Sequence, residues 1–366
     1  MSQQLRRRAV LTLAASPALP AAAAPRRASL GRDGVEEPPP IEQEQWHAFR
    51  ASFVLPEGRV VDTANGGISH SEGQGWVLLC AERMGDRETF DRLLGWTRRV
   101  LARPYDALSA WRFRPDGARG GAVDDPNNAT DGDLMIAWAL LRAGQRWDSA
   151  DYAAQGAAIA RDVLRLLVRE VGEETVLLPG AVGFEQREHI VLNPSYYAFP
   201  ALRALAQAVP DPTWLRLAAD GVGLLRRARF GRWGLPADWV ALPRLGGRPA
   251  PAPGWPARFS YDAIRVPLYL AWAGMGREPA ASGAARFWAD PQHPRMPAWT
   301  EFASDAVSPY PASIGIQSVA QLTMGKQSAA SSQPRWPSPV ETRDYYSSVL
   351  SLLARLAWRD STQPSI

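Results

Sequence analysis

The sequence predicts an all-α protein, a two-layered toroid in which an inner layer of helices is wrapped by an outer one. Two observations carry this expectation. Helical periodicity recurs at roughly 20–30 residue intervals between Gly-, Pro-, Asn- and Asp-rich connections. Several of the helices, Leu134 to Leu141 and Val266 to Trp272 among them, are apolar on most faces and need cover all round. No strict internal repeat is visible.

The 366 residues are 46% hydrophobic and 21% charged, enough for a full core and unlike a disordered chain. Met1 to Ala24 reads as an export signal: Arg6-Arg7-Arg8 as the basic region, Ala9 to Leu19 as the apolar one, Ala21 to Ala24 as a small-residue cleavage zone. Its apolar run is too short to span a bilayer, and both the Sec and the twin-arginine route fit it. Without its three arginines, the 41 basic residues become 38 against 37 acidic ones, a balance of +1. A global basic field for nucleic acid or anionic membrane is thereby excluded. Cys80 is the single cysteine, so no intrachain disulfide forms. The four histidines (His47, His70, His189, His293) show no paired ligand spacing, which argues against a protein-built zinc site.

In order, Pro25 to Glu44 is rich in Arg, Pro and Glu and reads as an N-terminal arm or linker. The domain proper is expected over 45–360. Trp46 to Phe53 suits a short helix, and Val60 to Thr63 an extended piece before the Asn65-Gly66-Gly67 turn. Trp76 to Met84 and Arg87 to Leu101 read as helices separated by Gly85-Asp86. Trp111 to Gly117 suits a strand and turn, and the Asn127-Asn128 pair a loop. Helices are expected over Asp131 to Ala143, Tyr152 to Arg169, Asn193 to Ala208 and Trp214 to Arg227. After a Pro- and Gly-rich loop, Leu242 to Trp255, the last expected helices are Ser260 to Gly274, Ser313 to Met324 and Tyr345 to Trp358.

Four stretches carry candidate chemistry. In Ser71-Glu72-Gly73-Gln74-Gly75 a carboxylate stands at the mouth of an apolar helix, between residues that permit close backbone approach. Such a glutamate suits a general acid with a raised pKa, or it simply serves the helix dipole. Thr130-Asp131-Gly132-Asp133 puts two acids at a helix start, where capping and dipole roles also explain them. Asn193-Pro194-Ser195-Tyr196-Tyr197 offers polar and aromatic groups to a cleft, and Ser260-Tyr261-Asp262-Ala263-Ile264-Arg265 sets an acid between a tyrosine and an arginine. Separate acids converging on one rim are what glycosidic hydrolysis needs: one carboxyl donates to the leaving oxygen and one carboxylate activates water. The 15 tryptophans would supply sugar-stacking platforms as well as core.

These motifs resemble glycoside hydrolase family 8. The stretch ATDGDLMIAWALLRAGQRW (Ala129 to Trp147) looks like that family's motif, and SEGQG before it and NPSYY and SYDAIRVP after it fall in the order the family shows. The resemblance spans Trp46 to Trp358, and within the family it points to periplasmic endoglucanases that accompany bacterial cellulose synthase. It implies an (α/α)6 barrel and an inverting endo-β-1,4-glucanase acting on cellulose chains, without metal or cofactor. By motif match Glu72 is the general acid, Asp262 the general base, and Asp131 holds the sugar at the cleavage subsite. Tyr196, Arg265, Asp133 and Gln74 carry over as cleft residues. Alternative readings are the same scaffold acting on xylan, chitosan or mixed-linkage glucan, and a glycan-binding protein without catalysis. The resemblance also implies a periplasmic or secreted location, and the cellulose synthase complex as a candidate partner. Gly75-Trp76 departs from the bulkier aromatic step that many members have after the glutamine.

Overall fold

Prolines and small polar side chains decide where the helices begin. The computed structural model of the chain describes residues 40–117, 120–327, 334, 336 and 344–362. The export signal and the arm as far as residue 39 lie outside these residues. Eleven α-helices occur among those described: α1 (Pro40–Phe53), α2 (Ser71–Arg83), α3 (Arg87–Val100), α4 (Thr130–Arg146), α5 (Ala150–Leu167), α6 (Phe199–Ala208), α7 (Pro212–Arg227), α8 (Arg265–Trp272), α9 (Pro279–Trp288), α10 (Ile314–Gln327) and α11 (Tyr345–Thr362).

Short antiparallel strands fill the connections. One sheet joins β1 (Ser69–His70), β2 (Ala110–Arg114) and β3 (Ala122–Asn128), with His70 opposite Arg112. The hairpin β4 (Val168–Val171) and β5 (Glu174–Leu177) follows α5. Another sheet joins β6 (His189–Leu192), β7 (Val240–Pro243) and β8 (Ala250–Pro251). Finally β9 (Arg258–Phe259) pairs with β10 (Thr300–Glu301).

The apolar-all-round helices are the inner ones. Trp76 to Ala81 of α2 and Leu134, Met135, Ala137 and Ala139 of α4 have no exposed surface. Helix α2 packs on α4, α4 on α6, α6 on α8 and α8 on α11, and α11 returns to α2. The succession closes on itself. Amphipathic helices such as α3, α5 and α7 bury one side against these.

Several boundaries differ from expectation, each for a local reason. Helix α2 starts at Ser71 rather than Trp76, because the His70 side chain caps it by accepting from the Gly73 amide. The helix expected from Asn193 is split into a 3-10 turn, Pro194–Tyr196, and α6. Pro200 has no N–H to continue a hydrogen-bonded ladder, so the helix restarts beside it. Helix α8 begins at Arg265 instead of Ser260, since Pro267 is tolerated only in a first turn. Asp262 therefore lies in the turn before the helix. Helix α1 begins at Pro40, inside the segment expected as an arm. Helix α9 has no counterpart in the sequence reading, Asn127 and Asn128 belong to β3, and β8 lies within the expected 242–255 loop.

Candidate active site

Glycines set the position of the first acid. A Cβ on Gly75 would stand 2.7 Å from the Met135 Cβ, and one on Gly132 would stand 2.4 Å from Ser71 Oγ and 2.6 Å from the Glu72 nitrogen. Side chains do not fit there, so α2 and α4 meet backbone to backbone. This contact brings Glu72, on the first turn of α2, beside Asp131 on the first turn of α4.

His70 fixes the entry to α2. Its Nδ1 accepts from the Gly73 amide at 3.0 Å and lies 3.9 Å from Glu72 Oε2, while Nε2 faces Asp62 Oδ2 at 3.5 Å. With Nδ1 accepting, the ring proton belongs on Nε2, toward Asp62. Burial pushes the Asp62 carboxyl up, but hydrogen bonds from His70, Asn65 and the Ala64 amide outweigh it and leave it below the usual range.

Asp131 is almost wholly buried. Its Oδ1 accepts from the Gly132 amide at 2.8 Å and its Oδ2 from Arg265 Nη1 at 3.1 Å. Burial pushes its carboxyl up to about 7, against the Gly132 hydrogen bond, the His70 ring and the Tyr196 hydroxyl. Tyr196 comes from the 3-10 turn that Asn193 caps by accepting from the Ser195 amide. Burial and the two carboxyls Asp131 and Asp262 hold the Tyr196 hydroxyl well above its ordinary range.

Arg265 joins the cluster together. Its side chain is 3% exposed, with Nη1 in contact with Glu72 Oε1 and Asp131 Oδ2 and Nη2 at 2.6 Å from Asp262 Oδ1. The guanidinium lies over the rings of Trp76 and Tyr196, at 5.3 and 5.9 Å from their centroids. One cation thus faces three carboxylates, a set that retains a proton more readily than separate acids would. The side chains of Asp262 and Glu72 are 33% and 18% exposed, whereas that of Asp131 is 3%. Two acids reach the opening; the third supports them from below.

Asp262 is pushed well above its ordinary range by burial and by the Asp238 and Asp131 carboxyls, against hydrogen bonds from Asn193 and Trp239. Asp238 itself is buried and accepts at Oδ1 from the amides of Ser260 and Ala263, both at 2.9 Å. Glu72, Asp131, Tyr196, Asp262 and Arg265 line a cavity of about 540 Å³, together with Trp111, Tyr261, Asp344 and Tyr346. A larger groove of about 770 Å³ between α6 and α7 is apolar, with Asp211 as its one acid, and offers no comparable set.

Glu72, Asp131, Tyr196, Asp262 and Arg265 are thus brought together. Gln74 and Asp133 are not, and the expectation that they line the cleft is corrected. Gln74 is fully buried on the far side of α2, accepting from the Val60 amide and donating to Gly58 O, Leu93 O and Thr97 Oγ1. Asp133, also fully buried, accepts from the Ser109 amide and Asn128 Nδ2 at 2.8 Å each. Burial pushes its carboxyl up to about 8 against those two donors. Both side chains fasten loops.

The sequence reading missed His70, Asp62, Trp111, Asp238, Asp344 and Tyr346. His70 had a usable signal, since a polar residue three positions before Gly73 is an N-cap candidate. Asp238 sits in Pro236-Ala237-Asp238-Trp239, a loop with no periodicity to mark it.

A family model described as "Glycosyl hydrolases family 8" matches residues 35–360. A protein of Novacetimonas hansenii described as "Probable endoglucanase" is 44% identical over 324 residues, 88% of this chain and 93% of its own. An "Endoglucanase" of Cellulomonas uda is 41% identical over 287 residues, 78% of each chain. The solved structure of the endo-beta-1,4-glucanase CMCax from Acetobacter xylinum superposes with a TM-score of 0.80 at 43% identity, covering 88% of this chain and 99% of that one. A cold-adapted family 8 xylanase shares the fold at 18% identity and a TM-score of 0.70, over 89% of this chain and 92% of its own.

Proposed function

The chain belongs to glycosyl hydrolases family 8, and from that premise we propose that it is an inverting endo-β-1,4-glucanase that cuts cellulose chains within an (α/α)6 barrel. The closed succession of inner helices supports the barrel. The observation that carries the catalytic reading is the meeting of Glu72, Asp131 and Asp262 at the single guanidinium of Arg265.

In this reading Glu72 donates its proton to the glycosidic oxygen as the bond to the leaving chain breaks. Asp262, ionised, takes a proton from a water that attacks the anomeric carbon from the opposite face. Asp131, fixed by Gly132, Arg265 and Tyr196, holds the sugar at the cleavage point. Glu72 and Asp262 meet different terminal nitrogens of Arg265, so the guanidinium stands between them. An inverting pair needs room between its carboxyls for the attacking water, roughly 6.5–9.5 Å.

The curated relatives described as endoglucanases support the substrate class. We place the enzyme outside the cytoplasm, in support of cellulose synthesis and export. The leader-like Met1 to Ala24 supports this, and among the described residues no helix is long and apolar enough to cross a membrane.

The test is viscosity and reducing-end release from carboxymethylcellulose, for the wild type beside Glu72→Gln and Asp262→Asn. A rapid viscosity fall with few reducing ends is expected for the wild type. Each folded variant is expected to lose at least about 1,000-fold in kcat. Cleavage of xylan or chitosan in place of cellulose would refute the substrate, and fully active variants would refute the acid and base.

A further inference from the structure

Behind Asp262 stands a second carboxylate that the two-acid reaction does not use. Asp238 precedes β7 and is 7% exposed. Its amide donates to Arg258 O at 3.0 Å, which fixes its backbone to β9. Its Oδ1 accepts from the amides of Ser260 and Ala263, at 2.9 Å each. The Asp262 amide also donates to this carboxylate. The polypeptide that presents Asp262 is thus wrapped around the Asp238 side chain. Among the described residues its ion-pair partner is Arg258, whose Nε lies 3.8 Å from Oδ2 on a side chain one-third exposed, so the charge is only partly offset.

We propose that Asp238 is a positioning residue for the hydrolysis, whose carboxylate builds the turn that presents Asp262 and places a second negative charge directly behind it. The proposal rests on Asp262 being the base. The groups facing Asp262 are Arg265 on α8, Asp131 on α4, Tyr196 and Asn193 at the 3-10 turn, Tyr346 on α11, and Asp238 with Trp239 before β7. Among these Arg265 favours ionisation of Asp262, whereas the Asp131 and Asp238 charges oppose it. Asp238 is itself pushed up to about 6 by burial, against the hydrogen bonds from the turn. The ionisation of Asp262 is therefore coupled to that of Asp238 as well as to that of Asp131. A base held against a like charge accepts a proton from water more strongly once ionised.

The experiment is the pH dependence of kcat/KM on carboxymethylcellulose for the full-length enzyme, Asp238→Asn, Asp238→Ala and Asp262→Asn, with thermal unfolding of each. Asparagine keeps an oxygen for the Ser260 and Ala263 amides and removes the charge. Its acidic limb is expected to move down by about one pH unit, with KM within about twofold of wild type. Alanine removes the acceptor as well, and kcat is expected to fall about 100-fold with little change in KM. An acidic limb in Asp238→Asn that coincides with that of the wild type would overturn the proposal. If that variant does not fold, the acidic limb of Asp238→Ala decides: a limb about one pH unit below that of the wild type supports the proposal, and one that coincides with the wild type refutes it. Activity retained in Asp262→Asn would remove the base on which the proposal rests. An inactive Asp262→Asn beside an unshifted Asp238→Asn would refute Asp238 alone.

Discussion

Arg265 and Asp262 are three residues apart in the chain, and the guanidinium of the first lies 2.6 Å from the carboxylate of the second. Because Arg265 opens α8 and Asp262 lies in the turn before it, the pair is formed locally and then carried against Asp131 and Glu72. The arginine neutralises part of a three-acid cluster and holds its members apart.

Replacing Arg265 by methionine is expected to lower kcat/KM by about 100-fold or more, because the three carboxylates lose the guanidinium they share. The acidic limb of the profile should move to higher pH, since those carboxyls then protonate more readily. Arg265→Lys should recover only part of the loss: an ammonium does not present two terminal nitrogens to separate acids. Initial rates from pH 4 to 8 check both points.

Gln74→Met is expected to lower stability by about 2–4 kcal/mol, since the Val60 amide and the Gly58 carbonyl lose their partner in a dry interior. Measured at 20 °C on folded enzyme, its kcat and KM should stay within about twofold of wild type. A selective rise in KM would return Gln74 to the substrate.

Asp86 ties α1 to α3, accepting from the Thr89 amide, Trp46 Nε1 and Arg50 Nη1. Burial raises its carboxyl, but these donors and the Thr89 hydroxyl outweigh it and hold it below its ordinary value of 3.8. The stabilisation it gives is therefore complete above about pH 4 and is lost as pH falls through the lower folded value. Asp86→Ala is expected to cost about 2–3 kcal/mol at pH 7. The gap between its melting temperature and that of the wild type should narrow as pH falls below about 4, as thermal scans into the acid range would show.

The residues legible in the sequence are those where chemistry and a helix start coincide. Glu72, Asp131 and Arg265 each stand in the first turn of a buried helix, and Asp262 in the turn that enters one. Gln74 and Asp133 were misread by nearness in the chain. Two residues along a helix is about 200° of rotation, so each points away from the acid that drew attention to it. Trp111, Asp344 and Tyr346 reach the cleft from β2, from the residue before α11 and from α11 itself, through long-range packing that no local pattern encodes. The helix boundaries missed at Ser260 and Asn193 were written in Pro267 and Pro200, whose missing donors decide where a helix can begin.

The backbone contact of Gly75 and Gly132 has a consequence for how such an enzyme changes over time. The spacing of Glu72 and Asp131 is set where α2 touches α4, in the interior, and owes little to the connections at the rim. Insertions, exchanges or deletions in connections that do not carry Asp238 or Asp262 can therefore reshape the cleft while the spacing of Glu72 and Asp131 is inherited unchanged. A single methyl group at Gly132 would do the reverse, sparing the aromatic lining of the cleft and prising the two acids apart.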